Sequence, residues 1–424
     1  MTVSAPDVPQ SPLAYRDYRL FWIARFSAVI ATMAMVVILG WQVYDTARNN
    51  GMSPREAAPM LAWVGAAQFL PVLFLTPVAG WAADRFERRR VAIIANLVDL
   101  LVALALAIAT ARGGLTLPFL FIMAMLHGVA RVFVGPAMSS IAPNVVPPEV
   151  LPRAIAMSSI AWQSASVLGP AAAGFLYADN PANPYWSAVA LLALSSLSVS
   201  FIKPIFPPQD SERRHPVRLM IDGLRFVWSE RFLLGAITLD LFAVLLGGAT
   251  AMLPVYARDI LHVGTEGLGW LRGAPGAGAA VVALWLAFRP LKHDVGVKML
   301  LAVVVFGIAT IIFGVSKNFQ LSLAMLALLG AADMLSVYVR GSLVQLNTPD
   351  NMRGRVSAVS GLAISASNEL GEVQSGAAAA LLGPVGAVVF GGVGAIFVTG
   401  LWAWLFPELR NARTFEPQFK ERQR

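Results

Sequence analysis

Residues 80–90 read GWAADRFERRR, and they stand between two long apolar stretches. On the N-terminal side, residues 57–79 are apolar except for Gln68, Thr76 and prolines. On the C-terminal side, residues 91–111 are apolar apart from Asn96, Asp99 and Thr110. Each run has about the 20 residues that carry a helix across a bilayer. Arg85, Arg88, Arg89 and Arg90 crowd the joint between them, and arginines are retained on the cytoplasmic side of a membrane. The stretch therefore reads as two membrane-spanning helices joined by a cytoplasmic charged hairpin. The fold class that follows is an all-α integral membrane protein.

The rest of the chain has the same character. Of its 424 residues 57% are hydrophobic and only 13% charged, whereas a soluble domain has about 25% charged residues. The net charge of +8 is scattered over many connections. That pattern suits the anionic cytoplasmic leaflet and not a nucleic-acid face. Cysteine is absent, so disulfides, thiol chemistry and thiolate metal sites are excluded. The four histidines have no ligand spacing, so no metal is expected. Without a GxxxxGK[ST] phosphate loop, a primary pump is disfavoured. Without a nucleophile–base constellation, so is an enzyme. The first apolar run exceeds a signal peptide's short core and is expected to stay as a start-transfer helix.

Twelve spans are expected, near residues 20–44, 57–79, 91–111, 117–141, 154–177 and 186–206, then 232–256, 268–288, 299–315, 321–346, 356–382 and 385–406. They form an N-terminal six-helix bundle (18–206) and a C-terminal one (232–406). A tail at 1–17, a linker at 207–231 and a basic tail at 407–424 complete the chain. In the linker, Val217, Met220, Ile221, Leu224, Val227 and Trp228 recur at helical spacing opposite Arg218, Asp222, Arg225 and Ser229. An interfacial amphipathic helix on the cytoplasmic leaflet is the expectation. Arginine and lysine favour alternate connections, which places both termini in the cytoplasm of a bacterial inner-membrane protein. Shifting the chain by about two hundred residues lays 126–159 over 328–361, as an internal duplication does. Gly128 then meets Gly330, Pro147 meets Pro349, Arg153 meets Arg355, Gly169 meets Gly371 and Gly174 meets Gly376.

The spacing Gly-x-x-x-Asp-Arg-x-x-Arg-Arg at Gly80, Asp84, Arg85, Arg88 and Arg89 resembles the signature loop between the second and third helices of the major facilitator superfamily. FWIARFS (21–27), GLRFVW (223–228) and QLNTPDNMRGRVSAV (345–359) extend the resemblance to both halves, within the branch of siderophore and drug exporters. The resemblance implies that the hairpin latches the two halves in one access state. The plainer alternative is a basic loop that only fixes orientation. Gly80 is expected to admit a neighbouring helix closely. Its counterpart in the second half, LAFRPLKHD (286–294), has lost the acid–arginine pattern. Arg131 and Gly135 resemble a second motif of the superfamily. Gly169, Pro170 and Gly174, in VLGPAAAG, resemble the Gly-Pro motif of its antiporters, which kinks and packs the fifth span and tilts the reading to export.

Polar groups inside spans carry the functional expectations, because charge in a bilayer is costly and marks transport pathways. The duplication pairs Arg131 with Asp333, which are expected to line a central cavity from opposite halves as a gated pair, or as an anion site and a proton carrier. A fixed structural ion pair is the alternative. Asn368, Glu369 and Glu372 fall in the eleventh span, with the two glutamates on one face. Asp99 and Asp240 are further candidates for carrying protons. Arg25 and Arg340 are expected to snorkel, and His127 to be a satisfied core residue. The function expected is a proton-coupled exporter of a hydrophobic or amphipathic small molecule. It would be monomeric in the lipid bilayer, driven by protons, and without a cofactor. An uptake permease for a sugar or organic acid is the alternative, and a non-transporting sensor the third reading.

Overall fold

A computed structural model describes residues 11–147, 149–205, 216–289, 291–349 and 352–415. The tail at 1–10, most of the linker's N-terminal half and the basic tail beyond 415 lie outside it, as do the side chains of Asp84 and Glu369. Among the described residues the long elements are all helices. They are α1 (Arg16–Asn49), α2 (Pro54–Arg85), α3 (Arg88–Ala111), α4 (Leu117–Ile141), α5 (Leu151–Asp179) and α6 (Asn183–Ser200). A short α7 (Pro216–Ser229) follows, then α8 (Arg231–Leu246), α9 (Gly264–Phe288), α10 (Val295–Val315), α11 (Phe319–Leu346) and α12 (Arg353–Leu405). α12 is two helices joined at Gly383, whose φ of 76° and ψ of 165° are open to glycine and break the ladder before Pro384. Among the described residues, eight of the segments are long and apolar enough to cross a membrane. α5 and α6 fall short of that measure because serine and other polar residues dilute them.

Three boundaries differ from the expectation. The hairpin is tighter than GWAADRFERRR suggests: α2 runs on through Arg85 and α3 starts at Arg88, leaving Phe86 and Glu87 to make the turn. α1 begins at Arg16 and continues to Asn49, because Asp45 and Arg48 find partners on another helix and need not face water as a loop. The seventh span is interrupted after Leu246. Gly247 and Gly248 break it, and a 3-10 turn (Ala249–Met252) and a π turn (Tyr256–Ile260) carry the chain to Leu261.

The helices divide into two compact units. The first comprises residues 1–39 and 70–212, the second 40–69 and 213–424. The end of α1 and the start of α2 belong with the second unit. In the first unit Tyr18, Phe21, Ala92, Ala137, Met138, Ile141, Ala154 and Val199 form the core that ties α1, α3, α4, α5 and α6 together near the hairpin. Tyr18 seals it by donating to the Ala154 carbonyl (2.7 Å). In the second unit Phe232, Ala236, Met299, Val303, Val339, Leu343, Val356 and Val398 do the same for α8, α10, α11 and α12. The linker helix α7 forms as its periodicity predicts. Val227 is buried and a Cβ at Gly223 would stand 2.9 Å from the Arg355 carbonyl, so this face is pressed on α12. Ile221, Leu224 and Trp228 stay exposed, the last at 75%, as suits an interfacial helix.

Candidate functional site

In the first unit, the hairpin arginines are anchored locally. Arg88 donates to the Ser140 carbonyl (3.0 Å) at the end of α4. Arg89 donates to Ser200 (3.1 Å) and Ile202 (2.6 Å) at the end of α6. Glu87, which the sequence reading passed over, is buried and holds Arg89 (2.8 Å) and Arg90 (2.7 Å). Arginine is suited to this, since its five donors satisfy helix-end carbonyls that have no partner in their own helix. Arg85 is exposed. A Cβ at Gly80 would have nothing within 4 Å among the described residues.

Deeper in this unit lies a polar cluster. Asp99 on α3 is buried and contacts His127 Nδ1 on α4 at 2.6 Å. Thr32 on α1 brings its Oγ1 to 3.5 Å from the second carboxylate oxygen, long for a hydrogen bond. One turn before Asp99, Asn96 donates to Ser195 of α6 (2.9 Å). His127 is thus a partner of a candidate acid. The pairing was invisible in sequence because it crosses two helices. Arg131, one turn beyond His127, is half-buried.

In the second unit Asp240 on α8 is ion-paired with Arg340 on α11, both nearly inaccessible. Arg340 therefore does not snorkel. A buried carboxylate needs a cation, and Arg340 supplies it. Asp333 lies two turns from Arg340 on α11, near enough to feel the charges of both Asp240 and Arg340. Two acids and one base share this region. On α12, Glu372 is half-buried and its charge acts on Arg272 of α9, an arginine that the sequence reading did not single out. Asn368 is exposed. Arg131 and Asp333 belong to different units.

The duplication reappears as packing. A Cβ at Gly169 of α5 would stand 2.6 Å from the Ile30 carbonyl of α1, and one at Gly371 of α12 would stand 3.2 Å from the Val244 carbonyl of α8. Each unit thus presses the helix carrying the repeated glycine against the backbone of its own first helix. Pro170 and Gly174 continue α5 beyond that contact.

A further cluster lies at the end of the helices opposite the hairpin, within the second unit. Arg48 of α1 makes a two-pronged contact with Asp259, with Nη2 at 2.9 Å and Nε at 3.2 Å, and Tyr44 donates to the same carboxylate. Reciprocally, Arg258 bonds to the Asp45 carboxylate and to Asn49 (2.8 Å). Arg55, at the start of α2, donates to the Ala380 (3.0 Å) and Leu381 (2.7 Å) carbonyls of α12. Residues from the first half of the sequence are thereby bolted to residues of the second. The sequence had shown only Arg258 beside Asp259.

Helices with buried ion pairs, duplicated glycine contacts and a charged hairpin define a membrane transporter. The model of the Major Facilitator Superfamily matches residues 21–372, and the chain belongs to that superfamily; it is a transporter and not an enzyme. It is 24% identical over 403 residues to the enterobactin exporter of Escherichia coli O1:K1, covering 95% of this chain and 94% of that one. The enterobactin exporter of Citrobacter koseri is similar at 24% over 402 residues, covering 94% of each. Among solved structures, a D-xylose-proton symporter matches with a TM-score of 0.72 at 13% identity, over 95% of this chain and 100% of that one. A bacterial homologue of the human lysosomal transporter Spinster matches with a TM-score of 0.71 at 13% identity, over 93% and 97%.

Proposed function

We propose that the chain is a proton-coupled exporter of an amphipathic small molecule, of siderophore or drug-like type, working by alternating access from the bacterial inner membrane. The observation that carries it is the set of ionisable side chains kept inside the spans, above all Asp240, Arg340 and Asp333. Charge is retained in a bilayer at a cost, and a group of two acids and one base can hold one proton more or less without moving its backbone. Asp333 is the carrier in this reading, with Arg340 sharing its charge between the two acids. Arg131, Arg272, Glu372, Glu369 and Asn368 are the proposed contacts for substrate. Export is favoured over uptake by the similarity to enterobactin exporters along nearly the whole chain, and by the contact of Gly169, in the Gly-Pro motif, with α1. Both termini are cytoplasmic, the protein works as a monomer and it requires no cofactor.

In this scheme the cluster around Asp259 fastens the end of the first span to the seventh, and the hairpin arginines brace the ends of α4 and α6. The test uses inverted membrane vesicles containing the protein, with enterobactin and ethidium as probes under an imposed pH gradient. Movement into the vesicles that follows the gradient and is lost in Asp333→Asn supports the proposal. Movement only down the probe's own gradient, or in the opposite direction, refutes coupled export and favours a permease.

A further inference from the structure

The Asp99–His127 pair is not used by the scheme above, and its chemistry is unusual for a structural contact. Both side chains are almost wholly removed from water, Asp99 at 1% and His127 at 0% exposure. The pair meets at 2.6 Å through Nδ1, while His127 Nε2 is buried and has no hydrogen-bond partner among the described residues. One turn away, Asn96 Oδ1 is buried in the same condition, as is Ser196 Oγ on α6. A histidine serving only as packing would leave neither a carboxylate against one nitrogen nor an orphan at the other.

Charge counting gives the pair a preference. With one shared proton beyond the neutral imidazole's own, the pair is neutral overall, either as carboxylate with imidazolium or as acid with imidazole. Without that proton it carries a full negative charge. An apolar, sealed site penalises the net charge heavily, whereas water reaching it removes the penalty. The surrounding helices supply little else to set the balance. α6 has no charged residue between Asn183 and Ser200, α1 contributes Thr32 with Arg25 two turns away, and α4 contributes Arg131 one turn from His127.

We propose that Asp99 and His127 together form a proton-binding site that holds one proton while sealed and gives it up when α1 moves and water enters. The only groups needed are the two side chains, and the proton passes between Asp99 Oδ1 and His127 Nδ1 within the pair and leaves to water. Thr32 places the site beside α1 at the level where Gly169 of α5 meets Ile30. The same helix carries Tyr44, Asp45 and Arg48 at its far end, so displacement of α1 is a natural trigger for hydration. The inference rests on the proton-coupled reading, and adds a second site to that of Asp333.

The experiment compares two kinds of transport by the purified protein in proteoliposomes, with ethidium and enterobactin as probes. In Asp99→Asn and His127→Gln, movement driven by a pH gradient falls at least about tenfold, within the ordinary range of coupling between sites, while gradient-free exchange of probe persists. Asp99→Glu restores part of the driven movement, which a purely structural defect would not allow. A direct readout uses imidazole nitrogen NMR of the protein in detergent. With four histidines in the chain, His127→Gln identifies the signal, and its protonation should change with pH in a way that Asp99→Asn alters. Driven movement retained by both variants, or an imidazole signal indifferent to Asp99→Asn, overturns the proposal. Wild-type protein that exchanges probe but ignores the gradient refutes the proton-coupled reading instead, and the imidazole signal then decides the pair alone.

Discussion

The hairpin at 80–90 and the cluster around Asp259 are both knots of arginines and carboxylates, but they are wired differently. Arg88, Arg89 and Arg90 spend their donors on Glu87 and on carbonyls of α4 and α6, all within the first unit. Arg48, Asp45, Arg258 and Asp259 instead join residues more than 200 positions apart. Each group lies within one unit, so each survives a rigid movement of its own unit. The cluster around Asp259 must be broken only if the end of the first span is to part from the seventh. Arg88, Arg89 and Arg90 thus act as a local brace, and the inconspicuous cluster is the latch between those two span ends in this conformation.

A graded series of substitutions sharpens that contrast. The largest effect sets the scale: Arg340→Ala strands a buried Asp240, and should cost about 3 to 5 kcal/mol of stability in thermal or denaturant unfolding in detergent. Replacing both members by apolar residues should cost less. Removing both carboxylates of the latch, Asp45→Ala with Asp259→Ala, should cost about 2 kcal/mol, because these pairs are partly exposed and partly screened. The loss should appear as easier separation of the two ends more than as global unfolding. Glu87→Gln should cost about 1 kcal/mol, since Arg89 keeps its two carbonyls, and should leave the far end unaffected. Gly80→Ala comes last, at less than about 0.5 kcal/mol, because no atom of the described residues stands within 4 Å of the added methyl. A large loss of stability there would show that the glycine is already packed in this conformation.

The fold was legible because its signals are local and redundant. Apolar runs of membrane length, the basic hairpin and the prolines and glycines repeated between 126–159 and 328–361 all point to one architecture. α7 was equally readable from its period. The latch was not, since Asp45 and Arg48 look like the polar start of a loop until Arg258 and Asp259 are placed against them. Likewise His127 acquires meaning only beside Asp99, one helix away, and Arg340 only beside Asp240. The acids could be named in sequence as intramembrane candidates. Their partners could not, because helix rotation decides which face meets which neighbour. Glu87 was within the motif itself but carried no signal, since its role depends on being buried at the turn between α2 and α3.

The most direct test of the brace-and-latch account exploits the absence of cysteine from the chain. Ala58, near the start of α2 and ten residues after Arg48, is fully buried in this conformation. In an Ala58→Cys protein, the rate of labelling by a membrane-impermeant maleimide reports opening of that end. The account predicts slow labelling in the otherwise wild-type chain and a rise of about tenfold or more when Asp45→Ala and Asp259→Ala are added, as roughly 1.4 kcal/mol or more of latch energy requires. Exchanging the charges with Arg48→Asp and Asp259→Arg should bring the rate back down, and Glu87→Gln should leave it alone. A rate unchanged by loss of both carboxylates, or raised as much by Glu87→Gln, would contradict the account.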